Sequence, residues 1–196
     1  MQLNQIIDFF SQEFKNNIWM TPNDLTDLKV TEMFIATHSE IVSGENTTWR
    51  ESLEGKIAEI ITVDLFSRCI YRDDPKSFVY DPLALYMSQN LLKDHPLNTL
   101  DDEFKKVAIL PFIHSESKII HDKLELMLKD VVCTELKEYA LSKSRIIKDF
   151  GRFPYRNSII GRESTPEEHE YLMRTWLKSS HWSDEISSIV EDTLIH

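Results

Sequence analysis

Glycine and proline are scarce in this chain, four and seven respectively among 196 residues. An all-β domain needs such residues at its many turns, so the scarcity points to helices joined by short connections. Cysteine is scarcer still. Cys69 and Cys133 lie far apart and form neither a CxxC pair nor a metal-ligand spacing, which argues against a disulfide scaffold and reads as two reduced thiols in a cytoplasmic protein. No apolar run approaches the roughly 20 residues that a membrane-spanning helix requires. The opening residues Met1-Gln2-Leu3-Asn4-Gln5 lack the basic start and apolar stretch of a secretion signal. Positive charge is also short, with 22 Lys and Arg against 33 Asp and Glu and a net charge of −11. Nucleic acid and anionic membrane surfaces are therefore disfavoured as partners, because both are gripped by basic surfaces. No phosphate-binding glycine loop or dinucleotide fingerprint occurs, so no cofactor is expected.

What is present suits one all-α domain over residues 1–196, since 41% hydrophobic and 28% charged residues give a globular balance. Leu3, Ile6, Ile7, Phe10 and Phe14 recur every three or four residues and mark an opening helix. Thr21-Pro22-Asn23-Asp24 is a break with capping chemistry, followed by a helix through Leu28, Val30, Phe34 and Ile41 with Gly44 past its end. Ser52 reads as the cap of a third helix through Ile57, Ile60, Ile61 and Leu65. Asp73-Asp74-Pro75 is a turn, Asp81-Pro82 a helix start and His95-Pro96 a stop. Asp101 or Asp102 opens the next helix, and Pro111 predicts a kink or an end at Leu110. Helices follow through Ile119 to Leu128 and from Leu136 to Phe150, the latter ending at Gly151. Thr165-Pro166-Glu167-Glu168 combines a capping box with proline at the first helical position.

Three segments carry a family resemblance. The first is Asp64-Leu65-Phe66-Ser67-Arg68-Cys69-Ile70-Tyr71-Arg72, continuing through Pro75, Phe78 and Asp81-Pro82-Leu83. The second is Leu110-Pro111-Phe112-Ile113-His114-Ser115-Glu116. The third is Phe150-Gly151-Arg152-Phe153-Pro154-Tyr155-Arg156-Asn157, reaching Glu168 through Gly161-Arg162. In order and spacing they resemble the signatures of the domain of unknown function 924 family, over about residues 1–172, with 173–196 as a helical extension. The resemblance implies a bacterial, tetratricopeptide-like helical array and no established reaction. Leu65, Ser67, Cys69, Ile113, His121 and Tyr155 depart from the family's usual Gln, Pro, Asn, Glu, Gln and His, which marks a divergent member.

Arginine is dense in these motifs. Arg68, Arg72, Arg152, Arg156 and Arg162, with Asn157 beside them, are the candidate ligand-binding residues, because a guanidinium fork grips carboxylate or phosphate through two parallel hydrogen bonds. The ligand on this reading is an anionic small molecule or an acidic peptide. The competing reading pairs each arginine with a local acid such as Asp64, Asp149 or Glu163 as a structural brace. His114 and Glu116 are the candidate catalytic residues of an alternative small enzyme, the histidine moving a proton and the glutamate orienting it. His114 and His121, seven apart, share a face if helical, but no further ligands complete a metal site. Cys69 lies between Arg68 and Arg72, whose charge favours a thiolate, while a small buried residue is the simpler account. Trp19, Trp49, Phe66, Phe78 and Phe153 read as core. Trp176 and Trp182 lie beyond the strongest match, and Ile186, Ile189, Val190 and Leu194 form a stripe that completes the core or pairs with a second copy of the chain.

Overall fold

Helix starts in this protein follow local capping chemistry. In the computed structural model, which describes residues 2–13, 23–45 and 48–179, every regular element is helical. After α1, Gln2–Glu13, the Asn23 side chain accepts the Thr26 amide at 3.0 Å and α2 runs Asp24–Val42, with Gly44 in the left-handed region just past its end. Ser52 accepts from the Gly55 amide at 3.1 Å and starts α3, Leu53–Ile60. The chain continues without a break through a π-helical stretch, Ile61–Phe66, into α4, Ser67–Ile70. The turn through Asp73, with φ 59°, leads to α5, Lys76–Val79, and α6, Asp81–Asp94. Asp101 accepts from Phe104 at 2.8 Å and opens α7, Asp102–Ile113. Three further helices follow: α8, Lys118–Met127; α9, Thr134–Phe150; and α10, Pro166–Ser179. At the start of α10 the capping box is closed in both directions, Glu168 amide to Thr165 hydroxyl at 3.3 Å and Thr165 amide to Glu168 carboxylate at 2.8 Å.

The contacts group into two compact units, Met1–Gly151 and Arg152–His196, where the sequence reads as one domain. In the first unit α7 packs against α3, α6, α8 and α9, and its residues from Val107 to Ile113 are all buried. The helix therefore passes through Pro111 and ends three residues later than Leu110. Proline removes one amide donor from the ladder, whereas burying Phe112 and Ile113 contributes about 1.5–3 kcal/mol each, enough to hold the last turn. Around it, Phe34 stacks on Phe66 at 4.9 Å, and Phe9 meets both rings edge-on at 5.3 and 5.9 Å. That trio ties α1, α2 and the π-helical stretch together. Phe66 and Phe153 are fully buried, and Trp49 packs against the core from its edge. Trp176 is exposed. Phe14, Trp19, Trp182 and the stripe from Ile186 to Leu194 lie outside the described residues.

Gly151 closes α9 with φ 74°, and its amide reaches the Ile147 carbonyl at 2.9 Å. An added Cβ meets nothing nearer than the Lys118 side chain at 3.9 Å. Gly151→Ala is therefore expected to destabilise by about 1–2 kcal/mol through left-handed backbone strain alone. Urea melts that match the unsubstituted protein overturn this.

Candidate functional site

The helix from α3 to α4 carries the first motif, and its π-helical stretch turns Asp64 into the core. Asp64 is fully buried. His114, the residue that ends α7, places its Nδ1 2.9 Å from both carboxylate oxygens. A carboxylate only accepts, so Nδ1 carries the hydrogen. Burial, reinforced by the Arg68 charge, pulls the imidazole below its ordinary pKa, and Asp64 opposes that shift. Arg68 donates to the Asp64 carbonyl at 2.6 Å and to the Asp81 carboxylate at 2.7 Å, and its guanidinium lies 5.9 Å from the centre of the Phe78 ring. Asp81 thus anchors Arg68 where a helix-start signal suggests a cap. The carboxylate on His114 Nδ1 belongs to Asp64, while Glu116 sits in the non-helical link between α7 and α8.

A second buried histidine was not singled out in the sequence. His38 of α2 is 0% exposed, and its Nε2 lies 2.7 Å from the Ser67 hydroxyl. Ser67 spends its only hydrogen on the Val63 carbonyl at 2.7 Å, so Nε2–H must be the donor and Nδ1 a bare acceptor. Among the described residues no partner meets that Nδ1, and the rings of Tyr71 and Tyr80 stand edge-on at 5.5 and 5.3 Å. Burial lowers the His38 pKa to about 4. The signal available was a histidine four residues after Phe34 and three before Ile41, on the apolar face of α2.

Within the first unit Arg68 and Arg72 take different partners. α4 ends at Ile70, so Arg72 leaves the helical face of Arg68 and forks onto Asp27 of α2 at 2.6 and 2.7 Å. Cys69 is buried, and burial together with Asp27 raises its thiol pKa to about 12, overriding Arg72 and Arg68. A thiolate is not favoured there. In the second unit Arg152 forks onto Glu168 at 2.6 and 2.8 Å and also reaches the Glu163 carbonyl at 2.9 Å. Asn157 adds a donor to Glu168 at 3.1 Å and accepts from Arg162 at 3.0 Å. The Arg152 bonds hold the Glu168 carboxyl down at about 2. Arg156 is buried, its guanidinium 4.7 Å from the centre of the Phe153 ring and 5.9 Å from that of exposed Tyr155.

His121 lies on α8, separated from His114 by the link Ser115–Ser117, so the two share no helical face. Its Nε2 donates to the Ser115 carbonyl at 2.9 Å and its Nδ1 accepts from Ser144 at 2.9 Å. Among the described residues no three of His, Cys, Asp and Glu converge as metal ligands.

A cleft of about 420 Å³ opens elsewhere in the first unit, along α3, α6 and the 3₁₀ turn Thr48–Glu51. Leu83, Tyr86, Met87 and Leu91 give it an apolar wall. Arg50, Lys56 and Lys93 supply three cations against the two carboxylates of Glu59 and Asp94. Lys56 pairs with Asp94 at 2.5 Å and Arg50 with Glu59 at 3.0 Å. Lys93 bonds only Asn90, at 3.2 Å, and forms no ion pair among the described residues. Gly55 permits this arrangement, because a Cβ there falls 1.9 Å from the Trp49 carbonyl oxygen, so no other residue lets the turn lie so close on α3. The sequence reading passed over this cleft. Its one signal was a glutamate, Glu59, inside the apolar run Ile57-Ala58-Glu59-Ile60-Ile61.

The depressed His38 pKa has a thermodynamic consequence. Between about pH 6.5 and pH 4 the unfolded chain binds the proton and the folded one does not, so stability is full above the window and is lost as pH falls through it. A shift of this size corresponds to about 3 kcal/mol. Urea melts across the window are expected to show His38→Gln losing less stability than the unsubstituted protein by roughly that amount. Parallel curves for the two proteins overturn the assignment.

A solved structure of a protein of unknown function from Agrobacterium tumefaciens superimposes with a TM-score of 0.79 at 26% identity, over 87% of this chain and 96% of that one. No curated protein matches. The family described as "Bacterial protein of unknown function (DUF924)" matches residues 6–175, and the chain belongs to it.

Proposed function

We propose that this protein is a non-catalytic helical module that binds one small anionic molecule in the cleft bordered by Arg50, Lys56 and Lys93. The observation that carries this reading is Lys93, a cation without an acidic partner among the described residues, at the rim of a cleft with an apolar wall. Volume supports it, since about 420 Å³ lies within the usual range for small-molecule sites. A single small molecule fits that space better than an acidic peptide does. Arg68, Arg72 and Arg152 bear on the choice as well, because each already grips an acid of the chain itself. The packing of α6 on α7, α7 on α8 and α8 on α9 supports the tetratricopeptide-like reading. No helix among the described residues is long and apolar enough to cross a membrane. Two unbridged thiols support a reducing, cytoplasmic setting.

Calorimetric titration with 3-phenylpropanoate and phenyl phosphate tests the proposal. Saturable binding is expected, weakened about tenfold by Lys93→Met, the loss of one charge-assisted hydrogen bond. Arg72→Ala should leave the affinity unchanged. Sensitivity to Arg68→Gln or Arg152→Gln without sensitivity to Lys93→Met returns the site to the motif arginines.

A second reading, a small enzyme, is favoured by the bifurcated hold of Asp64 on His114, which resembles the orienting bond of acid–base histidines. Arg68 is its substrate-holding cation. Under this reading His114→Gln abolishes turnover across a panel of carboxylic and phosphoric esters while the fold survives. Under the binding-module reading the pair is a brace, and Asp64→Asn or His114→Gln costs about 3 kcal/mol or more in melts, without any turnover to lose.

A further inference from the structure

We infer that the ligand of the cleft carries an amine as well as an acid: a zwitterion of the amino-acid class, its ammonium on Glu59, its carboxylate on Lys93 and its apolar group against Leu83, Tyr86 and Met87. This rests on the cleft being the binding site and adds the chemistry of its other end.

Glu59 sets the first requirement on a ligand. Its side chain is 3% exposed, yet it lines the cleft. Arg50 donates one hydrogen bond, from Nε to Oε1 at 3.0 Å, and Oε2 has no partner among the described residues. A carboxylate can accept about four hydrogen bonds, so a buried one supplied with a single donor is under-solvated. Burial accordingly pushes its pKa above the ordinary carboxylate range, against the pull of Arg50. A ligand ammonium on Oε2, at the cleft wall, adds donors and a compensating charge to a carboxylate that has little contact with water.

The other charges fix the rest of the ligand. Asp94, engaged by Lys56 on one oxygen at 2.5 Å, is 57% exposed and open to water, which leaves Glu59 as the buried carboxylate with an oxygen that no described residue meets. Lys93 remains the cation without an acid, and the exposed ring of Tyr86 lies seven residues before it on α6. A ligand with only an acid meets Lys93 and leaves Glu59 unanswered. A ligand with only an amine does the reverse. A zwitterion meets both.

Calorimetry of the full chain with L-phenylalanine, 3-phenylpropanoate and 2-phenylethylamine separates these cases. Phenylalanine is expected to bind the unsubstituted protein at least tenfold more tightly than phenylpropanoate. Glu59→Gln, which keeps an oxygen for Arg50, should erase that difference, while Lys93→Met should weaken both acids about tenfold. Phenylpropanoate binding that is sensitive to Lys93→Met, with no gain for phenylalanine, overturns this inference and leaves the cleft reading intact. Absence of binding by all three probes overturns both. The comparison of probes on the unsubstituted protein decides the question even if Glu59→Gln fails to fold.

Discussion

A carboxylate with no access to water must be answered by the protein, and Asp64 sets that demand at the centre of the first unit. Left alone it would cost several kcal/mol. The answer draws in the end of α7 through His114, the following helical turn through Arg68, and the start of α6 through Asp81. Each partner sits in one of the segments that identify the family. The first two motifs are thus the two sides of one buried polar contact, which explains why they sit 46 residues apart, counting from Asp64 to Leu110, and still belong together. The π-helical stretch contributes by changing the register of the helix. Asp64 and Ser67 then reach imidazoles from two different helices, His114 of α7 and His38 of α2.

The third motif obeys the same physics around a different acid. Glu168 collects Arg152, Asn157 and the Thr165 amide, so a cap residue of α10 is also what orders the loop preceding it. Arginine density in an acidic chain therefore has an internal explanation in both units. Guanidinium forks suit this work, because they satisfy both oxygens of a carboxylate in one plane. Lys93, outside every motif, forms no ion pair among the described residues. Ile113 beside His114 is a buried apolar side chain, and Tyr155 beside Arg156 is an exposed ring.

Sequence legibility followed the range of the interaction. Ser52, Asn23, Asp101, Gly151 and the Thr165–Glu168 box are local devices whose partners lie within four residues, and each stands where the sequence places it. Of the kink or end that Pro111 suggests at Leu110, the end is not found, because proline's cost is local while the packing that outweighs it comes from α3, α6, α8 and α9. His38 and Asp64 acquire their roles only when residues 29 and 50 positions away arrive. The cleft was less legible still. Its residues come from a short turn and two helices, and nothing in their individual surroundings tells the side of a helix that faces a cavity from one that faces water.

Gly55 concentrates much of that geometry in one missing atom. Because the Trp49 carbonyl occupies the space of a Cβ, the turn that presents Arg50 to Glu59 can rest on α3 only above a glycine. Identity at this position consequently works as a sorting mark among relatives. Chains with glycine there are able to build the same mouth to the cleft, and chains with any side chain must route the preceding turn differently. Replacing this glycine would reroute the turn that carries Arg50 while leaving Asp64 and its partners in place, so the outline of this surface and the stability of the core are separable at a single codon.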